Sequence, residues 1–372
     1  MHTIRQFSVL PRRSAALLRN GLQAVSIPLA AVIAGLLIGA IILVAHGASA
    51  VAAYSALWQG SFGNLAAIGR TLEKTTPLVF SGLALAFAFK AGLFNIGAQG
   101  QLLLGAFAAA VAGFGLKGLP AIIHLPLALL VGAMISGLYA IIQGVLKVYT
   151  GAHEVITGIM FNYVAINFTD YLAAGPFKDP TPGNIIARTA LIQDTCQIPQ
   201  FGYVPLGFVI GLAAALMLWW LMKKTTLGFE LRTIGLNVQA AQYAGIHVNR
   251  LLVLTMFFSG VLAGLGGAVE TLGVMHRYQP GFNVGLGFDG ITIALLARTH
   301  PIGVIPAALL VGAMRAGSNQ MQFAANVSPE IIDVMLALIL FLVAADRLLR
   351  WMLHKRRVET RLPALSTGWG RQ

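Results

Sequence analysis

Residues 25–45 run without a single charged side chain. Spanning the hydrocarbon core of a bilayer takes about 20 apolar residues, and inside it only helices and closed barrels satisfy their own backbone. Comparable apolar runs lie at 121–146, 155–174, 204–222, 251–272 and 331–345. Shorter or glycine-broken candidates occupy 76–89, 101–116, 288–297 and 302–314. The expected fold is an all-α membrane protein of about ten transmembrane helices. Charge supports it: only 10% of the residues are charged against 57% hydrophobic, where a water-facing globule carries about 25% charged. Arg5, Arg12, Arg13 and Arg19 precede the first run, and Ala48-Ser49-Ala50 resembles a signal-peptidase site. That run exceeds a signal core of roughly 7–15 residues, so an uncleaved first helix is expected.

A net charge of +13 would suggest nucleic acid in a soluble chain. Here the cations sit beside apolar spans, as membrane orientation demands, and nucleic-acid binding is not expected. The N-terminal arginines, the group Lys223, Lys224, Arg232 and Arg250, and the tail with Arg347, Arg350, Lys355, Arg356 and Arg357 belong on the cytoplasmic side. Six spans precede the central group and four follow it, both even numbers, so count and charge agree. The expected organisation is 1–222 for the N-terminal segment, the first repeat and a sixth helix, 223–250 for a cytoplasmic loop, 251–346 for the remaining helices, and 347–372 for a basic tail. The lone Cys196 forms no internal disulfide, and no Cys-x-x-Cys or His-Glu-x-x-His spacing marks a metal site. No cofactor is expected.

The sequence repeats itself. Phe80-Ser81-Gly82 returns as Phe258-Ser259-Gly260, and Phe94-Asn95-Ile96-Gly97 returns as Phe282-Asn283-Val284-Gly285. Leu129-Leu130-Val131-Gly132-Ala133-Met134 returns unchanged at 309–314. Three matches in one order imply duplication. Five helices per half is an odd number, so the second half enters the membrane inverted, and a transport site is expected where broken helices meet.

The first break holds Asn95, Gln99 and Gln101 among three glycines. Amides in apolar sequence are costly unless paired or facing a cavity, and facing one they would offer donors and acceptors to a neutral, hydroxyl-rich solute. A tight interhelical turn is the plainer reading. The second break carries Asn283 and Asp289. A charge at mid-span costs roughly 2.5–3.5 kcal/mol on insertion scales, so Asp289 should face the interior. Arg298 follows nine residues later, about 13 Å along a helix, which is poor geometry for a direct pair. Glu154 is placed to begin a helix, where the dipole favours a carboxylate, and Asn162 falls two turns on along the same face. No Gly-x-Ser-x-Gly elbow or phosphate-binding loop occurs, so this chain is not expected to hydrolyse ATP.

In the central loop, Asn237 is placed to cap a short helix of small residues that Gly245 ends. Segment 228–246, with the motifs at 94–101 and 151–163, makes the chain resemble the inner-membrane permeases of binding-protein-dependent ABC importers for simple sugars, nucleosides and branched-chain amino acids. The nucleoside branch is the most similar, with stretches like F-N-I-G-x-E-G-Q and G-x-N-E-V-I; here Gln99 replaces the acidic residue and His153 the asparagine. The resemblance covers about 72–346. It implies that Gly235, Leu236, Asn237, Ala240, Ala241, Ala244 and Gly245 form a coupling region contacting an ATP-binding subunit dimer. It also implies a second permease chain, an extracytoplasmic substrate-binding lipoprotein, and residence in a bacterial inner membrane with both termini cytoplasmic. Ribose-type sugars are the alternative cargo. A secondary transporter with inverted repeats is the other class, and it would need a titratable or sodium-coordinating cluster for which only Asp289 is a candidate.

Overall fold

The computed structural model describes residues 11–281 and 285–345. The expected ten spans all appear as helices: α1 (Pro11–Ala45), α3 (Leu65–Lys90), α4 (Ala98–Gly115), α5 (Ala121–Thr150), α6 (Glu154–Ala174), α7 (Leu206–Lys224), α10 (Val248–Glu270), α11 (Leu286–Leu296), α12 (Pro301–Ala325) and α13 (Ile331–Ala344). Seven are long and apolar enough to cross a membrane by composition alone, while α11 and α13 are shorter apolar helices. Three more elements were not expected as helices or fall in the central loop: α2 (Ala50–Phe62), α8 (Thr226–Leu236) and α9 (Val238–Tyr243). Side-chain oxygens start four of the helices, α2, α3, α8 and α9. Ser49 accepts from the Ala52 amide, Asn64 from Ala67, Thr225 from Gly228 and Asn237 from Ala240, each satisfying an amide the first turn leaves open. Arg5 and the tail from Arg347 onward lie outside the described residues, while Arg12, Arg13 and Arg19 fall within α1.

The duplication is visible as packing. Helices α3 and α10, which carry the Phe-Ser-Gly matches, cross antiparallel. Ser259 donates to the Ala84 carbonyl at 2.8 Å, the Phe87 and Phe258 rings meet edge-on at 6.3 Å, and Gly266 lies against Pro77 at the far end. The halves also exchange partners. Helix α12 packs on α3, with Gly312 at Thr75 and Val304 at Gly82, while its counterpart α5 packs on α10, with Gly132 near Ala268 and Gly144 at Met256. Two inverted five-helix repeats are therefore interleaved. Lipid offers no hydrophobic force between helices, so close approach through small residues supplies the attraction. At Gly267 the approach is closest: a Cβ there would fall on the Leu102 carbonyl oxygen.

Burial separates an inner from an outer layer. The spanning windows of α3 and α4 are each 83% buried, against 28% for α1 and α7. At one end of the bundle, residues 175–205 fold back over the core. Lys178 pairs with Thr189 in an isolated bridge, Thr189 bonds the Tyr278 carbonyl at 2.9 Å, and Ile198 bonds the Leu272 carbonyl at 3.0 Å. Asp179 meets Arg188 at 3.2 Å and Arg277 at 3.8 Å. The hydroxyl and amide of Thr181, then Arg188, hold the Asp179 carboxyl below the ordinary carboxylate range. Helices α8 and α9 lie at the opposite end, beside Lys90.

Candidate functional site

Helix α3 ends at Lys90, and Gly92 turns the chain with a φ of +77°. Residues 91–97 then run without regular structure until α4 begins at Ala98. The break is held by side chains from both repeats. Asn95 Nδ2 donates to Gln101 Oε1 at 2.8 Å and to Ser259 Oγ at 2.8 Å, and Gln101 Nε2 returns to Asn95 Oδ1 at 3.1 Å. Ser136 Oγ donates to the Gln101 carbonyl at 2.6 Å. Asn162 binds both sides of the break, accepting from the Gly100 amide at 2.8 Å and donating to the Ile96 carbonyl at 2.9 Å. Gln143 approaches through its Oε1 at 3.5 Å from Gln101 Nε2.

Gln99 makes the connection across the duplication. Phe94 and Phe282 are equivalent in the repeat, which makes Gln99 the counterpart of Gly287. The two meet directly: Gln99 Oε1 accepts from the Gly287 amide at 2.8 Å. A Cβ on Gly287 would overlap the backbone of Gln99, so this glycine permits the first turns of α4 and α11 to touch. Two helix N-termini converging on one point create positive potential, which favours oxygen and ring-nitrogen lone pairs. Four of the expected site residues, Asn95, Gln99, Gln101 and Asn162, thus gather at this junction. All four are buried and bonded to protein.

The other expected residues stand elsewhere. Glu154 opens α6 and binds Lys147 at 2.6 Å across the Gly151 turn. Asp289 lies in the first turn of α11, and its partner is Arg315 rather than Arg298. Arg315 Nε reaches Asp289 Oδ2 at 2.6 Å, and its other arm reaches Asp333 of α13 at 3.1 Å. Arg315 was invisible to a search along one helix because the pair joins α11 to α12, 26 positions apart. Asn283 lies outside the described residues. Ser259, Ser136 and Gln143 were not singled out from sequence, although the Phe-Ser-Gly repeat already marked Ser259.

In the central loop, α8 precedes the expected short helix, whose cap is Asn237 at 3.0 Å from the Ala240 amide. Gly245 follows α9 with a φ of +78°. Leu236, Asn237, Ala240, Ala244 and Gly245 are exposed, whereas Gly235 and Ala241 are buried against the chain itself. Ala241 packs with Ile234, Val248 and Leu251, and Gly235 rests on the Lys90 carbonyl. Leu236 at 68% and Tyr243 at 94% exposure leave apolar surface uncovered on the same segment.

Inverted repeats whose interrupted helices meet head-on define this chain as a multi-pass membrane permease. It belongs to the branched-chain amino acid transport system / permease component family, whose pattern matches residues 67–344. It is 41% identical over 333 residues to the guanosine ABC transporter permease protein NupP of Bacillus subtilis, covering 88% of this chain and 95% of that one. It is 33% identical over 350 residues to the nucleoside ABC transporter permease protein NupB of Lactococcus lactis, covering 91% and 96%. The glucose ABC transporter permease protein TsgB13 of Haloferax volcanii is 32% identical over 333 residues, covering 86% and 87%.

Proposed function

We propose that this chain is the translocating subunit of an ATP-driven nucleoside importer. The observation that carries the cargo is the 41% identity, over nearly the full length of both chains, to a guanosine permease. The chemistry of the junction supports it. Asn95, Gln99, Gln101 and Asn162 are neutral groups able to exchange their mutual bonds for those of a base and a ribose. Asp289 is already matched by Arg315. A nucleotide would require several uncommitted Arg or Lys side chains along the path. Asn283, the repeat counterpart of Asn95, is included in the proposed path. A sugar is the second reading, favoured by the similarity to a glucose permease.

ATP hydrolysis belongs to a separate ATP-binding subunit dimer that seats on 228–246, and a substrate-binding lipoprotein delivers cargo to the opposite end. The exposed Leu236 and Tyr243 support the first contact. Ala240 and Ala244 are exposed helix-compatible positions, so Ala240→Arg with Ala244→Arg should abolish substrate-stimulated ATP turnover while the permease still accumulates in the membrane. Normal turnover would reduce the segment to a connector.

Orientation is tested with the native thiol out of the way, because Cys196 is buried. Tyr243→Cys should react with a membrane-impermeant maleimide only from the cytoplasm. Ile185→Cys, at a position 91% exposed, should react only from outside. Reversed labelling would invert the assignment.

For cargo, cells lacking this gene should lose uptake of labelled guanosine at low micromolar supply, and the intact gene should restore it. Asn95→Leu should not, since it strands Gln101 and Ser259. Retained nucleoside uptake with lost ribose or glucose uptake would replace the cargo and leave the permease assignment standing.

A further inference from the structure

At the end of the bundle that holds α8 and α9, cations from three separate segments converge. Lys90 closes α3, and Gly235 of α8 rests on its carbonyl. Arg232 lies one turn before Gly235 on the same side of α8, close enough to Lys90 for the two charges to repel. Its guanidinium donates to the Met222 carbonyl, which places it beside Lys223 at the end of α7. His300, the N-cap of α12, completes the group. Partial burial, then the charges of Lys90 and Lys223, hold its imidazole below the ordinary range, which leaves it a neutral hydrogen-bond donor near pH 7. Helix α12 starts there without a side-chain cap, so its positive end faces the same place.

No carboxylate balances this charge. Among the described residues, none of the ion pairs involves Lys90, Lys223 or Arg232. Glu230 is two positions from Arg232, and helical spacing turns it to another face. Membrane orientation asks only that cations collect on one side. It does not ask three segments to bring them to one point, where their repulsion works against the packing of α8 on α3. A bound anion removes that cost.

The depth of the cluster says which anion. Lys223 Nζ lies 5.1 Å from the centre of the Trp219 ring, and Trp220 beside it is 55% exposed. Tryptophan gathers at the level of lipid headgroups. One turn further in, Leu216 and Met217 are exposed on the same outer helix, an apolar surface suited to acyl chains.

We propose that Lys90, Lys223, Arg232 and His300 bind the phosphate of an anionic phospholipid whose acyl chains lie along the outer face of α7. Basic groups between helix ends at the headgroup level are the chemistry such lipids select. Bound there, the phosphate ties the ends of α3 and α7 to α8.

The test uses the full-length permease in nanodiscs of phosphatidylcholine carrying a rising share of phosphatidylglycerol. Phosphatidylglycerol should raise the thermal midpoint by about 3 °C. Lys223→Gln, at an exposed position, should raise the half-maximal share about fivefold, and adding Lys90→Gln should remove the response. Lys117→Gln takes one charge from the opposite end, where Gln193 bonds the neighbouring Leu116 carbonyl, and should change nothing. Equal midpoints at every lipid share would overturn the site. An equal loss in Lys117→Gln would overturn it too, by showing that diffuse surface charge attracts the lipid. Inorganic phosphate reproducing the shift in phosphatidylcholine alone would reject the lipid as the source of the anion. An unchanged lipid response in Lys90→Gln with Lys223→Gln, alongside loss of the ATP-binding subunit on purification, would give the cluster to a protein partner instead. None of these readings depends on which solute the permease carries.

Discussion

Replacing Arg315 with methionine is expected to destabilise the protein by about 3 kcal/mol, enough to collapse its yield in the membrane. Arg315 holds two carboxylates on two other helices, Asp289 at 2.6 Å and Asp333 at 3.1 Å. The Asp289 side chain is only 13% exposed, so removing its partner leaves a nearly dry negative charge. The Asp333 contact is mostly water-exposed and contributes little. Arg315→Lys should fail as well, because a point charge cannot address two carboxylates in fixed directions. The decisive comparison is the double variant Arg315→Met with Asp289→Asn, measured by thermal unfolding in detergent. Removing the stranded charge should recover at least about 1 kcal/mol relative to Arg315→Met alone. A double variant no better than the single one would show that Arg315 acts through packing of its stem.

The spans were legible because lipid imposes one-dimensional rules. Apolar length and the clustering of Lys and Arg are properties of local sequence, and α5 and α10 sit close to their expected bounds. The limits of α3 and α12 were misjudged for a physical reason. Their outer turns carry Arg70, Glu73 and Lys74 in one case and Arg315, Ser318 and Asn319 in the other, which breaks the apolar run without breaking the helix. Helix α2 escaped notice because 13 residues are too few to span. It is built instead on contacts to α12, as when Ser61 donates to the Ala313 carbonyl at 2.6 Å.

The junction was half legible. Amides beside glycines in an apolar setting pointed to Asn95, Gln99 and Gln101, and the repeat pointed to the matching break. What periodicity could not supply was pairing across the duplication. That Gln99 caps the helix opposite, or that Asp289 looks to α12, depends on how the inverted halves interlock.

In the proposed coupling segment the largest functional effect is expected at Gly235. A Cβ there would fall on the Lys90 carbonyl oxygen, with the Ala91 carbonyl carbon at 3.4 Å, so the obstacle is backbone and cannot rotate away. Lys90 and Ala91 lead directly into the break that carries Asn95 and Gln99. The end of α8 thus bears on the strand of chain that holds the repeat junction together, and a push from an attached ATPase would travel through this contact. Interiors are close-packed, so displacement at one side is passed on rather than absorbed. Gly235→Val should therefore prop α8 away from α3 and reduce transport more than tenfold while ATP turnover continues, because the proposed partner contacts Leu236, Ala240 and Ala244 stay exposed. Gly235→Ala should fall between the two. The measurement is paired ATPase and uptake activity in proteoliposomes holding the full complex. Parallel loss of both activities with loss of the ATPase subunit on purification would mean Gly235 serves assembly, and unchanged uptake would mean the contact transmits nothing.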